Sequence, residues 1–533
     1  MSGAADRKDI LRGAVASLGG FGGRMLARMI LLVSAGHLYG AANIGVLGQL
    51  AAVIEILAAV ATLGLKRTLL DKLNLAVRRG HDQGTVVATA ILLSTGLGFV
   101  LAALLFALWP RLFDWSVPDV VFLAIPAAAF AEVALTATRF RRFIRWEVVV
   151  RCIMEPWSLL AAAMFFHAAG VRNDGLPLAY AVSMLVAAAA SLWGLGRVFG
   201  FRRLMGWRPE MASLPDMFLA SLPVGMSDIG VILLRRLDII LLSLFVDQRI
   251  TGLYYMAQQV STVPHRIYRL FEPMMGPVIA GLYHDRDTQS MDMRIVRVCR
   301  LVFILQLAVT LPLMVFGDAV MGLFGDGFRA AAVILVILLV AELLDGSFAL
   351  AETPLVFARP FVMPPLMMAT LGVELVAILL LAPTWGATGT AVGFLFSTAT
   401  LAAGRLFLLH RALRIRVVDW RYLPPLGIAI ALGGLLVLVR GWLESPIAIT
   451  VAVFGSAALM LVLTALLGAE EDRRTFRKPR PRRRGSSPPP SGASGDCPHQ
   501  SSRRPPHRRR WRSPGRPVAA YHRRYSSRHL RDR

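Results

Sequence analysis

The sequence predicts an all-α polytopic membrane protein of about fourteen transmembrane helices, set as two six-helix lobes around a central cavity plus a C-terminal helix pair. Three observations carry this. Of 533 residues, 56% are hydrophobic and only 17% charged, against about 45–50% and about 25% in soluble domains; mean hydropathy is +0.59. The apolar residues gather into stretches that meet the roughly 20 residues a helix needs to cross hydrocarbon. The basic residues fall in alternate connections between those stretches. A soluble enzyme could not cover so apolar a composition and is excluded.

The fourteen stretches are 13–36, 43–64, 85–109, 119–138, 146–168, 176–196, 216–246, 250–281, 298–317, 330–351, 361–382, 386–410, 422–439 and 446–468. The first starts too late, and is too rich in Gly and Arg, for a cleavable signal, so residues 1–12 read as a cytoplasmic N-terminus. Helices one to six give an N-lobe over 13–210, helices seven to twelve a C-lobe over 211–415, and the last pair occupies 416–470. With the N-terminus inside, the segments 1–12, 65–84, 139–145, 197–215, 282–300, 352–360 and 405–421 hold 26 Lys and Arg. The outer segments hold five: Arg111, Arg172, Arg249, Arg329 and Arg440. One missed helix would invert every later loop, so this asymmetry fixes count and orientation together. Both termini are expected in the cytoplasm. Trp109, Trp115, Trp385 and Trp442 fall at outer helix ends and Trp146, Trp207 and Trp420 at inner ones, as interfacial indoles do.

Charge and motifs remove further classes. The net charge of +25 would suggest a nucleic-acid partner if evenly spread, but residues 471–533 hold 20 Lys+Arg against 4 Asp+Glu and residues 1–470 hold 38 against 29. No nucleic-acid partner is expected. Cys152, Cys299 and Cys497 are far apart and form neither a disulfide framework nor a zinc motif, so neither metal nor cofactor is expected. GxxxxGK[ST], HExxH and GxSxG are missing and no loop is long enough for a soluble catalytic domain. A transporter, a channel or an intramembrane enzyme remains.

Ionisable side chains inside the bilayer cost about 2.5–3.5 kcal/mol each on insertion scales and normally face a cavity or a partner. Here they concentrate on four helices. Helix one carries Arg24 and Arg28, four apart and so on one face. Helix two carries Glu55; helix seven carries Asp228, Arg235, Arg236 and Asp238; helix eight carries His265, Arg266, Arg269 and Glu272. Six arginines stand against four acids. Elsewhere the intramembrane charges are mostly acidic: Glu132, Arg151, Glu155, Glu342, Asp345 and Glu374. The plainer alternative is internal pairing, such as Arg235 with Asp238 or Arg269 with Glu272, and adjacent Arg235 and Arg236 should point to different sides. Pairing alone tends to neutrality, however. A surplus of guanidinium, with its planar fork of donors, points to a hydrated basic cavity for a phosphate or carboxylate.

A weak internal repeat accompanies the surplus. Gly45-Val-Leu-Gly-Gln-Leu-Ala opens helix two and Gly252-Leu-Tyr-Tyr-Met-Ala-Gln opens helix eight, 207 residues on; Arg28 then falls on Arg235. Ala131-Glu132 and Ala341-Glu342 echo this at an offset of 210. Six intervening helices make the two halves parallel in topology, a common transporter plan.

Several stretches resemble the polysaccharide exporters of the multidrug/oligosaccharidyl-lipid/polysaccharide (MOP) superfamily, the Wzx-type flippases. They are His37-Leu-Tyr-Gly through Gly45 to Leu63-Gly-Leu65; Leu222-Pro223, Arg236-Leu-Asp238 and Gly252-Leu-Tyr254; Leu323-Phe-Gly325 with Phe328-Arg-Ala-Ala; and Trp385-Gly-Ala-Thr-Gly-Thr-Ala391. The likeness covers about residues 12–465. It implies a V-shaped cavity lined mainly by helices one, two, seven and eight, the helices that carry the arginine surplus. It also implies a glycan repeat unit on polyprenyl diphosphate as cargo, flipped to the outer leaflet by alternating access, with no catalytic residue, membrane lipids and a glycan polymerase or export machinery as partners, and a monomer. Arg24, Arg28, Arg235, Arg236, Arg266 and Arg269 are the candidate diphosphate contacts; Glu55, Asp238, Glu272 and His265 are candidates to position them or to carry a coupling proton.

Three rivals stay open. A drug/cation antiporter of the same superfamily wants an acidic, aromatic cavity, against the basic one here. A peptidoglycan lipid-precursor flippase carries the same diphosphate. A membrane glycan polymerase would use a large outer loop, and none is present. The tail, 471–533, is rich in Arg, Pro, Ser and Gly and reads as disordered. It is either a polybasic strip against anionic lipid or the product of a shifted reading frame in a GC-rich gene.

Overall fold

The computed structural model describes residues 3–80, 82–112, 115–285, 287–442 and 445–475; the tail beyond 475 lies outside the described residues. All regular structure among the described residues is helical. The helix Gly3–Thr62 breaks at Gly40, where φ 78° and ψ 174° suit glycine alone, giving α1 (3–39) and α2 (41–62). The chain continues through α3 (Leu65–Arg79), α4 (Gln83–Leu112), α5 (Ala124–Phe140), α6 (Arg145–Ala168), α7 (Gly175–Phe199), α8 (Leu214–Leu242), α9 (Gln248–His265), α10 (Glu272–His284), α11 (Thr288–Val315) and α12 (Ala332–Phe348). Met363–Leu413 breaks at Gly386 (φ 55°, ψ −131°) into α13 (363–385) and α14 (387–413), and α15 (Leu423–Arg440) and α16 (Pro446–Thr475) follow.

Ten segments are long and apolar enough to cross a membrane, or eleven when Met211–Met226 and Asp228–Leu242, bent by 47°, count as one. Two of those segments contain the breaks at Gly40 and Gly386, which brings eleven to thirteen. The eighth expected span, 250–281, which would complete fourteen, is not one helix. It stops at His265, makes a 3-10 turn over Tyr268–Leu270 and resumes at Glu272. Pro264 and Pro273 flank the break, and neither has an N–H to continue the ladder. Three other boundaries differ. Arg405, expected in a loop over 405–421, is 7% exposed inside α14. The first helix already begins at Gly3, and α16 runs to Thr475, so 471–475 are helical rather than disordered.

Packing explains where space is left. One apolar cluster joins both halves of the chain near the end poor in Lys and Arg, through Ile44, Leu50, Tyr254 and Leu335. Toward the basic end the core divides, one part around Leu69, Val87 and Leu195 and another around Ile295, Cys299 and Leu409. Between these two lies the cavity described below.

The joined end is held by backbone. A Cβ on Gly45 would strike Gln248 O and the Gly252 N, and a Cβ on Gly252 would strike Ala41 O and the Gly45 N. These contacts are reciprocal at the repeat's own offset, 41 with 248 and 45 with 252, as a two-fold relation between equivalent segments requires. Gln49 donates to Ser243 Oγ (2.6 Å) and accepts from Gln248 (3.0 Å) beside them.

Candidate functional site: a cavity with paired and unpaired arginines

The cavity, about 500 Å³, opens among α1, α2, α5, α6, α7, α8, α9 and the turn after α9. Of the ten residues expected at the site, Arg24, Arg28, Glu55, Arg235, Arg236, His265, Arg266 and Arg269 line it; Asp238 and Glu272 do not. Adjacent Arg235 and Arg236 both reach its wall, the first turned toward α12 and the second toward α2.

Those two are ion-paired. Arg236 makes a two-pronged bridge to Glu55, Nε to Oε2 at 2.8 Å and Nη2 to Oε1 at 3.0 Å. Arg235 donates from Nη2 to Asp345 Oδ2 and to His265 Nε2, both at 2.9 Å, and its Nη1 lies 3.5 Å from Glu342. A guanidinium can only donate, so Nε2 of His265 is the bare nitrogen and Nδ1 faces Glu342 at 2.9 Å. Arg405 closes this buried hub from α14, bonding Asp345 at 2.6 Å and Glu352 at 3.0 Å. By distance His265, Glu342 and Asp345 could hold a cation, but the two guanidiniums already neutralise both carboxylates. Asp238, fully buried, instead accepts from Tyr254 and Gln258 at 2.6 Å each and from the Ile239 N–H, and touches none of the arginines. Glu272 is exposed at the start of α10. The local pairs Arg235–Asp238 and Arg269–Glu272 therefore do not form.

The other four differ. Among the described residues no carboxylate pairs with Arg24, Arg28, Arg266 or Arg269. Arg28 donates to Gln259 Oε1 and Arg266 lies against the Met25 sulfur. Arg28, Arg24 and Arg269 are all charged neighbours of Arg266, with Glu342 also within reach. The turn that interrupts α9 and α10 brings this about: Arg266 and Arg269 sit on a non-α segment, and Arg266 reaches Met25 of α1.

Residues to which the sequence assigns no role complete the wall. Lys66 bridges Glu132 at 3.1 Å, and Arg151 joins Glu132 to Glu155, the latter at 2.9 Å. Arg151 and Glu155 announce themselves by i,i+4 spacing; a π-helical stretch over Val149–Met154 carries Arg151. Lys66 reads as a loop residue, and nothing in the sequence marks Tyr180 or Gln259.

With this geometry in view, the family model for polysaccharide biosynthesis proteins matches residues 10–279. The chain belongs to that family. The matched residues include α1, α2, α8 and α9, and so every arginine of the cavity's predicted set. No curated protein matches the chain. Its fold is that of the MOP superfamily. A structure of the lipid II flippase MurJ in an inward closed conformation aligns over 86% of this chain and all of its own, with TM-score 0.68 and 9% identity. An inward-facing multidrug resistance MATE transporter of the MOP superfamily aligns over 73% of this chain and 98% of its own, with TM-score 0.54 and 16% identity. The solved structures that share this fold are a lipid flippase and a multidrug transporter.

Proposed function

We propose that the protein flips a polyprenyl-diphosphate-linked oligosaccharide, a repeat unit of a surface polysaccharide, across the bacterial cytoplasmic membrane by alternating access. The observation that carries this reading is the set of four unpaired arginines in a cavity within the bundle. Arg24, Arg28 and Arg266 are half-buried and Arg269 is more exposed, and four like charges gathered in one cavity repel one another, so together they call for an anion that the chain does not supply. A diphosphate offers oxygens to several guanidinium forks at once. A cationic drug would meet repulsion from the same four groups. Stripping a diphosphate and its sugars of water in hydrocarbon costs several kcal/mol per lost hydrogen bond, and a wet basic passage removes most of that barrier. The positive bias of alternate loops supports cytoplasmic termini, with cargo entering from that side. The chain acts as a monomer and hands its cargo to a glycan polymerase or export machinery.

The test is translocation of a labelled polyprenyl-diphosphate oligosaccharide in proteoliposomes. Arg28→Ala and Arg266→Ala should each slow it about tenfold or more, the equivalent of one charge-assisted hydrogen bond, and the Lys variants should retain part of the rate. Wild-type translocation by the double Ala variant would overturn the reading.

A further inference from the structure

The cavity holds two chemistries, and the proposed diphosphate uses only one. The cavity also has a wall whose charges cancel: Glu55 with Arg236, and Lys66, Glu132, Arg151 and Glu155 in one chain. Though neutral, this wall is not exhausted. Both Glu55 oxygens accept from Arg236, yet the side chain is 41% exposed, and a carboxylate carries about four acceptor sites. Gln259 spends its carbonyl on Arg28 and keeps its amide N–H groups for the cavity. Tyr180, 7% exposed, has Glu55 and Arg236 as neighbours and faces the cavity, and its hydroxyl makes no hydrogen bond among the described residues. A hydroxyl with no protein partner among the described residues, opening onto the cavity from an otherwise buried ring beside a half-open carboxylate, offers a donor and an acceptor together.

We propose that Glu55, Tyr180, Arg236 and Gln259 form a sugar subsite that takes an uncharged, hydroxyl-bearing sugar and rejects a uronic acid. The proposal rests on the transport reading above and adds the class of sugar. A sugar hydroxyl donates to the Glu55 carboxylate and accepts from Tyr180 or the Gln259 amide in the same arrangement. A sugar carboxylate there meets Glu55 as a like charge; Arg236 is already engaged by both Glu55 oxygens, and Arg28, which touches Gln259, is taken by the diphosphate. The anionic end of the cargo goes instead to Arg24, Arg28, Arg266 and Arg269.

The experiment uses the full purified chain and three probes: bare polyprenyl diphosphate, the same lipid carrying one neutral hexose, and the same lipid carrying one hexuronate. Wild-type protein should bind the hexose lipid about fivefold or more tighter than the bare lipid, as one or two net hydrogen bonds allow, and the hexuronate lipid more weakly than the hexose lipid. Tyr180→Phe should cut the hexose-to-bare ratio about fivefold, and Glu55→Gln should abolish the bias against hexuronate. Arg266→Ala should weaken all three probes by one common factor. Thermal melts matching wild type show that each variant is folded. Binding of the bare lipid with no gain from the hexose, or ratios untouched in both Tyr180→Phe and Glu55→Gln, overturns the sugar subsite alone. Failure of all three probes to bind overturns it together with the transport reading.

Discussion

Arg28 and Arg235 occupy the same place in a repeat of 207 residues, and their surroundings are opposite. Arg28 has an amide for company; Arg235 has two carboxylates and an imidazole. The paired glutamates of the repeat diverge as well, Glu132 serving Lys66 and Arg151 while Glu342 serves Arg235 and His265. One half of the molecule leaves its guanidinium without a carboxylate and the other spends it on holding α8, α9, α12 and α14 together. Equivalent positions in a duplicated fold thus need not do the same work, because the partners around each one decide it.

The sharpest way to break this contrast is to strip the hub. Asp345→Ala leaves Arg235 and Arg405 buried with an acid missing, and should lower stability by about 3–5 kcal/mol in thermal or denaturant unfolding, whereas Arg28→Ala should leave the melt near wild type. A melt equally depressed by Arg28→Ala would mean that both halves spend their arginine on structure. Next, Gly45→Ala and Gly252→Ala should each cost about 1–3 kcal/mol by overpacking, and by nearly the same amount, because their contacts are reciprocal. A large difference between the two would mean that the halves part company at the joined end too. Third, Glu342→Gln combined with Arg235→Gln should recover stability relative to Arg235→Gln alone, with a coupling of about 1 kcal/mol or more between contacting groups; additive melts would show that Arg235 is held by Asp345 and His265 without Glu342. The smallest effect sets the floor. Asp326→Ala, which removes an exposed partner of Arg329 at 3.2 Å, should change stability by about 0.5 kcal/mol or less.

The helical membrane fold and most of the charged lining of the cavity were legible in the sequence because each rests on a one-dimensional signal: apolar length, alternation of Lys and Arg, and charge where hydrocarbon is expected. The pairing was not. Arg236 meets Glu55 across 181 residues and Arg235 meets Asp345 across 110, while sequence proximity offered Asp238 and Glu272, which touch none of the arginines. Arg405 was hidden for a related reason: its guanidinium hydrates well enough to pass for a loop residue until Asp345 and Glu352 are seen beside it. The break at 266–271 could have been found from Pro264 and Pro273, since two prolines nine residues apart rarely share one unbroken helix. Tyr180 and Gln259 carry no charge and follow no spacing rule, so only their neighbours reveal them.

At Gly45 and Gly252 two helices touch through bare main chain. At those two positions the seam has no teeth, although Ile44, Leu50 and Tyr254 interlock beside it. A contact of this kind fixes the register of α2 on α9, because any slip would drive a methyl or larger group into backbone.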